Sequence, residues 1–139
     1  MGPNDAELVR VFTREVGGTI GDVTFPDNQD IEIVVEAEVG TALFNTGGAF
    51  NFTLCVRDLC TFDLVQARNG ALADILEQPG TFGAAPWANL AQQFTFVIPA
   101  SELANRAGHI LEILVCLQVG IATVDASFAR SPLFHITVP

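Results

Sequence analysis

His109-Ile110-Leu111-Glu112-Ile113-Leu114-Val115-Cys116-Leu117-Gln118-Val119 is the most apolar continuous stretch of the chain. It is too short to cross a bilayer, which takes about 20 apolar residues in a helix, and Glu112 and Gln118 interrupt it. Its odd positions, Leu111, Ile113, Val115, Leu117 and Val119, form an unbroken apolar row. The even row mixes Ile110, Glu112, Leu114, Cys116 and Gln118. Period-two patterning with Ile, Val and Leu predicts a central β-strand, its odd row in a core and its even row only partly polar.

The neighbouring segments alternate in the same way. Ile31 to Val39 sets Ile31, Ile33, Val35, Ala37 and Val39 against Glu32, Glu36 and Glu38, a strand with one wet face. Glu7 to Val16 alternates less cleanly and carries charge on both faces, which suits a sheet edge. A short continuation over Asp22 to Phe25 stops at Pro26. Phe50 to Val56 and Cys60 to Val65 read as a hairpin. Setting Leu54 opposite Phe62 and Phe52 opposite Leu64 requires the three-residue loop Arg57-Asp58-Leu59 and turns Cys60 inward and Cys55 outward. Phe94, Phe96 and Ile98 alternate in a strand stopped by Pro99, Ser101 to Ala104 reads as a helical turn, and Leu133 to Val138 closes the chain with Phe134, Ile136 and Val138 inside and His135 outside.

Gln66 to Gln93 is the least regular region. Asn69-Gly70 and Pro79-Gly80 mark turns, and Leu72, Ile75 and Leu76 share a face if Ala71 to Gln78 is helical. The single Trp, Trp87, reads as a lid over the end of the core, with ligand stacking as the alternative.

At 139 residues the chain is long enough for one domain over 1–139, burying roughly 70% of its unfolded surface without a disulfide or metal. The formal charge is −10, and all six basic residues are Arg. That field repels a phosphate backbone and an anionic membrane surface, so neither nucleic acid nor membrane insertion is expected. The lack of Lys and Tyr beside abundant Ala, Val and Gly suggests a GC-rich, bacterial source. Met1-Gly2-Pro3-Asn4-Asp5-Ala6 has no basic region ahead of an apolar run, so no secretory signal is expected in this chain and a cytoplasmic location is favoured. Three Cys do not make a disulfide framework.

These strands predict an all-β, antiparallel two-sheet sandwich of about seven to nine strands with one short helical turn. The hairpin strands Phe50 to Val56 and Cys60 to Val65, the run Phe94-Thr95-Phe96-Val97-Ile98-Pro99-Ala100-Ser101-Glu102-Leu103, the long strand ending at Val119 and the closing Phe134-His135-Ile136-Thr137-Val138 together resemble immunoglobulin-like and fibronectin-like domains. The resemblance spans Ile31 to Pro139, and it implies that the outward rows carrying Cys55 and Cys116 lie side by side, so that if any pair is bonded it should be Cys55 with Cys116. The chain has no Tyr for a tyrosine corner and no inward Cys pair, and a jelly roll or a C2-like sandwich meets the same strand pattern.

No catalytic or zinc spacing stands out. His109 and His135 read as surface or hydrogen-bonded histidines, and Asn51-Phe52-Thr53, a glycosylation acceptor pattern, falls inside a strand. Asp22, Asp27, Asn28 and Asp30 could offer calcium hard oxygen ligands, although the same residues are ordinary turn formers. No cofactor is expected. The leading function is a non-enzymatic interaction module that binds a protein partner or its own copy. A small-ligand or carbohydrate-binding sandwich is the second reading and an enzyme the third. In an immunoglobulin-like sandwich, the loops Gly40 to Ala49 and Gly120 to Pro132 emerge at one end, which makes Phe44, Phe128 and Arg130, with Trp87, the candidate binding residues. The even row Ile110, Leu114 and Cys116 needs a cover, either the Gln66 to Gln93 segment or a second subunit.

Overall fold

A computed structural model describes residues 5–120 and 125–139. The opening 1–4 and part of the expected 120–132 loop, residues 121–124, lie outside the described residues. In chain order the elements are β1 (Ala6–Glu15), β2 (Thr24–Pro26), β3 (Ile31–Val39), α1 (Thr41–Asn45), β4 (Ala49–Asp58), β5 (Leu64–Val65), β6 (Ala67–Asn69), β7 (Ala71–Ala73), β8 (Ile75–Thr81), β9 (Ala91–Ile98), a 3-10 turn (Ala100–Glu102), β10 (Ile110–Val119), β11 (Asp125–Arg130) and β12 (Phe134–Thr137). They form two sheets. The first runs β1-β3-β9-β6-β7, and the second runs β2-β12-β10-β4-β5, with β11 beside β10 and β8 beside β4. Every pairing is antiparallel except β12 with β2. The chain is an all-β two-sheet sandwich.

Alternation places the core between the sheets. The odd row of β10 is buried, as are Ile31, Ile33, Val35, Ala37 and Val39 of β3, Phe50, Phe52, Leu54 and Val56 of β4, and Phe94, Phe96 and Ile98 of β9. β1 is the edge of its sheet, as its mixed faces predict, and a register shift between Leu8 and Arg10 further unsuits it to pairing with another chain. The sandwich is drawn together at one side where the Leu8 amide donates to Ser127 Oγ across 3.2 Å.

Four expectations need correction. The β4–β5 hairpin pairs Val56 with Val65 and Arg57 with Leu64, not Leu54 with Phe62. The reason is Asp58, whose Oδ1 accepts the amides of Cys60 at 2.9 Å and Thr61 at 3.3 Å and widens the turn. Cys60 and Phe62 are therefore exposed, and the rest of β4's edge pairs with β8. Ala71 to Gln78 is not helical: Leu72 and Ile75 are exposed and Leu76 is buried, the signature of strands. Asp125–Arg130, expected as loop, is a strand paired with β10. Val138, expected inside, is exposed past the end of β12.

Candidate functional site: the outer face of the second sheet

The two outer faces differ in chemistry. On the first sheet, strand register sets Arg10 opposite Glu36 and Arg14 opposite Glu32, and both pairs form ion pairs. That face is the solvated side expected of an antiparallel sheet.

On the second sheet, the registers of β8, β4, β10 and β11 align two rows of four outward side chains. One row is Ile75, Cys55, Leu114 and Arg130; the next is Glu77, Thr53, Cys116 and Phe128. Between the flanking strands these residues enclose an open groove of about 500 Å³ lined by Thr53, Cys55, Ile75, Leu114, Cys116 and Phe128, with Arg130 at its rim. Leu114 and Cys116 are half-buried floor, whereas Ile75 and Phe128 stand 53% and 76% exposed. Thus the Gln66 to Gln93 segment does not cover the even row of β10. It supplies β8 as a flank within the same sheet.

Only two of the four candidate binding residues meet here. Phe128 stands opposite Cys116 and Arg130 opposite Leu114. Phe44 lies on α1, half-buried and packed against the core. Trp87 is fully enclosed by Phe50, Phe52, Phe82 and Phe94 and leaves no ring face for a ligand. Cys55, Leu114 and Cys116 are visible in the sequence as outward apolar positions. Ile75 is hidden by the helical spacing of its neighbours.

Arg130 has one ion partner among the described residues, Glu112 at 4.0 Å, and its side chain is 72% exposed. All three thiols are free. Cys55 and Cys116 do lie on outward rows of adjacent strands, but Cys55 faces Leu114 and Cys116 faces Thr53. They are diagonal neighbours, a relation that separates Cα atoms by about 7–8 Å, beyond the usual disulfide range. Burial pushes the Cys55 thiol up against a smaller opposing effect of Arg57, and burial also raises Cys116. Iodoacetamide at neutral pH is therefore expected to alkylate exposed Cys60 first, with Cys55 and Cys116 following more slowly, because thiolate is the reactive form. Equal rates at all three positions, read by mass spectrometry, would contradict this assignment.

The aspartates considered for calcium are spread over turn contacts. Asp22 Oδ1 accepts the amides of Val23 and Thr24, and Asp30 Oδ1 accepts the amide of Ala100. Among the described residues no three His, Cys, Asp or Glu side chains converge as a metal site. Asn51 of the acceptor pattern sits mid-sheet between Pro79 and Gln118, with its Oδ1 buried and without a hydrogen-bond partner among the described residues.

A charged cluster closes the opposite end of β10. Asp58 is fully buried, and its Oδ2 accepts from Arg106 Nη1 at 2.8 Å and His109 Nδ1 at 2.7 Å. An ionised carboxylate can only accept, so His109 carries its hydrogen on Nδ1. Burial alone would raise the Asp58 pKa, but hydrogen bonds from His109, the Cys60 amide, Arg106 and the Thr61 amide outweigh it and hold the carboxyl at about 2.

The geometry defines a β-sandwich module with one polar and one apolar outer face. No family model and no curated protein sequence matches the chain. Among solved structures it is similar to the C-terminal domain of wzt, at 10% identity and a TM-score of 0.52 over 100% of this chain and 76% of that one. It is also similar to AggA, the major subunit of aggregative adherence fimbriae type I from Escherichia coli, at 8% identity and a TM-score of 0.51 over 96% and 97%. A glycosyl hydrolase family 2 member from Bacteroides cellulosilyticus matches at 10% identity and a TM-score of 0.50 over 90% of this chain and 15% of that protein. These likenesses establish a β-rich fold. No helix among the described residues is long and apolar enough to cross a membrane.

Proposed function

We propose that the chain is a non-enzymatic, immunoglobulin-like binding module that docks apolar side chains of a protein partner on the outer face of its second sheet. The observation that carries this reading is the groove of about 500 Å³ between β8 and β11, whose floor is Cys55, Leu114 and Cys116. Water gains little from such a floor, and covering apolar area is worth roughly 25 cal/mol per Å². Exposed Phe128 supplies an aromatic anchor of the kind that dominates interface energetics. The volume also falls within the range of small-molecule pockets, roughly 300–1,000 Å³, so a small ligand is the second reading.

Selection of a random phage-displayed peptide library on the folded protein tests the proposal, with a glycan array run in parallel. Peptides carrying aromatic or aliphatic anchors should be enriched. Their affinity should fall at least tenfold, about 1.4 kcal/mol, in Leu114→Glu and in Phe128→Ser. Binding that ignores both substitutions, or binding of glycans alone, would overturn the protein-partner reading.

A further inference from the structure

The segment 59–63 projects an aromatic side chain from a rigid mount. Phe62 adopts φ 63°, a left-handed conformation that bulky residues rarely take, and the residue is 74% exposed. Several contacts impose that shape. The Phe62 amide donates to the Asp58 carbonyl at 2.8 Å, the Asp58 amide to the Asp63 carbonyl at 2.9 Å, and the Leu59 amide to the Ile110 carbonyl at 2.9 Å. The buried Asp58 carboxylate holds the Cys60 and Thr61 amides from inside. Nothing in the core benefits from Phe62. A strained backbone that places a large apolar group in water is the kind of outlier from which a recognition role is reasonably inferred. Holding it rigid before contact also lowers the ordering cost of binding.

Next to this knob, Asp63 is 63% exposed, with its nearest cation, Arg106 Nη1, at 3.8 Å. The groove carries the matching half: an apolar floor with room for an aromatic ring, and at its rim the exposed guanidinium of Arg130. Phe beside a carboxylate matches in chemical kind an apolar hole beside a guanidinium, and Arg130, whose partner Glu112 stands 4.0 Å away, keeps 72% of its side chain exposed for a second carboxylate. Knob and hole cannot meet within one molecule as it is folded, since Phe62 is exposed past the Asp58 end of β4 while Cys55 lies about 10 Å back along that strand.

We propose that the groove's occupant is a second copy of this chain, whose Phe62 enters between Ile75 and Phe128 with its Asp63 facing Arg130. This rests on the preceding reading of the groove as a binding site and adds the partner. The contact joins two different patches: two copies that exchange it reciprocally close into an isologous dimer, and copies that pass it on head to tail form a heterologous ring or open chain. The net charge of −10 opposes the approach of two copies, so contact is favoured at an ionic strength of about 0.15 M or more, where the Debye length is about 8 Å or less.

Sedimentation velocity on the full chain, from micromolar to millimolar concentration in physiological salt, tests the proposal. The wild type is expected to gain mass with concentration to at least twice the single-chain value. Phe62→Ser removes the knob and Leu114→Glu spoils the hole, and each is expected to weaken association at least tenfold. Phe128→Ser, at an exposed position, replaces Leu114→Glu if circular dichroism shows the latter unfolded. An equal mixture of a knob variant and a hole variant should recover a one-to-one complex, because the intact groove of the first meets the intact Phe62 of the second. A wild type that stays monomeric, a Phe62→Ser protein that assembles like the wild type, or a mixture that stays separate would overturn it. If self-association is absent while the peptide binding described above still depends on Leu114, only the identity of the partner falls. If both are absent, the groove is not a binding site.

Discussion

Asp58→Ala is expected to lower the free energy of unfolding by about 3 kcal/mol or more. The substitution leaves Arg106 and His109 facing a space without its carboxylate and leaves the Cys60 and Thr61 amides without their acceptor. Breaking a buried pair by removing one partner costs more than the pair contributes, because the remaining groups are stranded. Asp58→Asn keeps the size and one carbonyl acceptor, so it should cost less. Urea unfolding of the three proteins measures the difference through the transition midpoint. A loss below about 1 kcal/mol in the Ala variant would place this cluster with ordinary surface pairs, which contribute that little.

The same carboxylate predicts the acid limb of stability. Its folded pKa of about 2 lies below the ordinary value of 3.8, so the unfolded chain takes up a proton first as pH falls. The stabilisation is fully present above the unfolded pKa and is lost between about pH 4 and pH 2, an effect of roughly 2 kcal/mol. In Asp58→Asn that part of the pH dependence should vanish while the contribution of the other carboxylates remains. An unchanged acid limb would show that Asp58 titrates alike in both states.

How much of this could be read from the chain depends on whether the cause is local. β3, β4 and β10 are legible because each alternates over nine or more residues with one row fully buried, and β9 because Phe94, Phe96 and Ile98 alternate and are buried. The floor of the groove is legible for the same reason, since the row opposite a buried one faces out and Leu114, Cys116 and Cys55 lie on it. Its flanks are not. β8 contains Pro79-Gly80, which reads as a turn, yet Gly80 lies opposite Phe50, and a Cβ there would sit 2.6 Å from the Phe50 ring. That glycine marks a close approach within a sheet, not a reversal of the chain. β11 is short, and every described side chain on it is exposed or half-buried, so it has no buried row to betray its period. The Asp58 cluster joins residues 48 and 51 positions apart, beyond the reach of any local pattern. It also defeats the in-phase run Cys60, Phe62 and Leu64, because two amides held by a carboxylate fix a wider turn than alternation alone suggests.

Trp87→Ala is expected to cost about 3–5 kcal/mol, the range for emptying a large aromatic site in a core. The indole is fully buried, stacks on Phe52 at 5.7 Å with the planes 15° apart, and meets Phe50, Phe82 and Phe94 at centroid distances of 5.0, 4.9 and 5.4 Å. Four rings that all lean on one residue cannot close over its absence without moving the strands that carry them. Trp87→Phe should be milder, since it keeps an aromatic ring and removes Nε1, which is buried without a hydrogen-bond partner among the described residues. Thermal unfolding followed by circular dichroism compares the two, and an Ala variant within about 1 kcal/mol of the wild type would show that the cluster repacks. The consequence reaches the outer face. Phe50 and Phe52 are among the inward residues of β4, whose outward residues Thr53 and Cys55 line the groove, so loosening the inner cluster should make Cys55 alkylate faster in the folded Trp87→Ala protein. Cys60, exposed on the far loop, should keep its wild-type rate and serve as the internal reference.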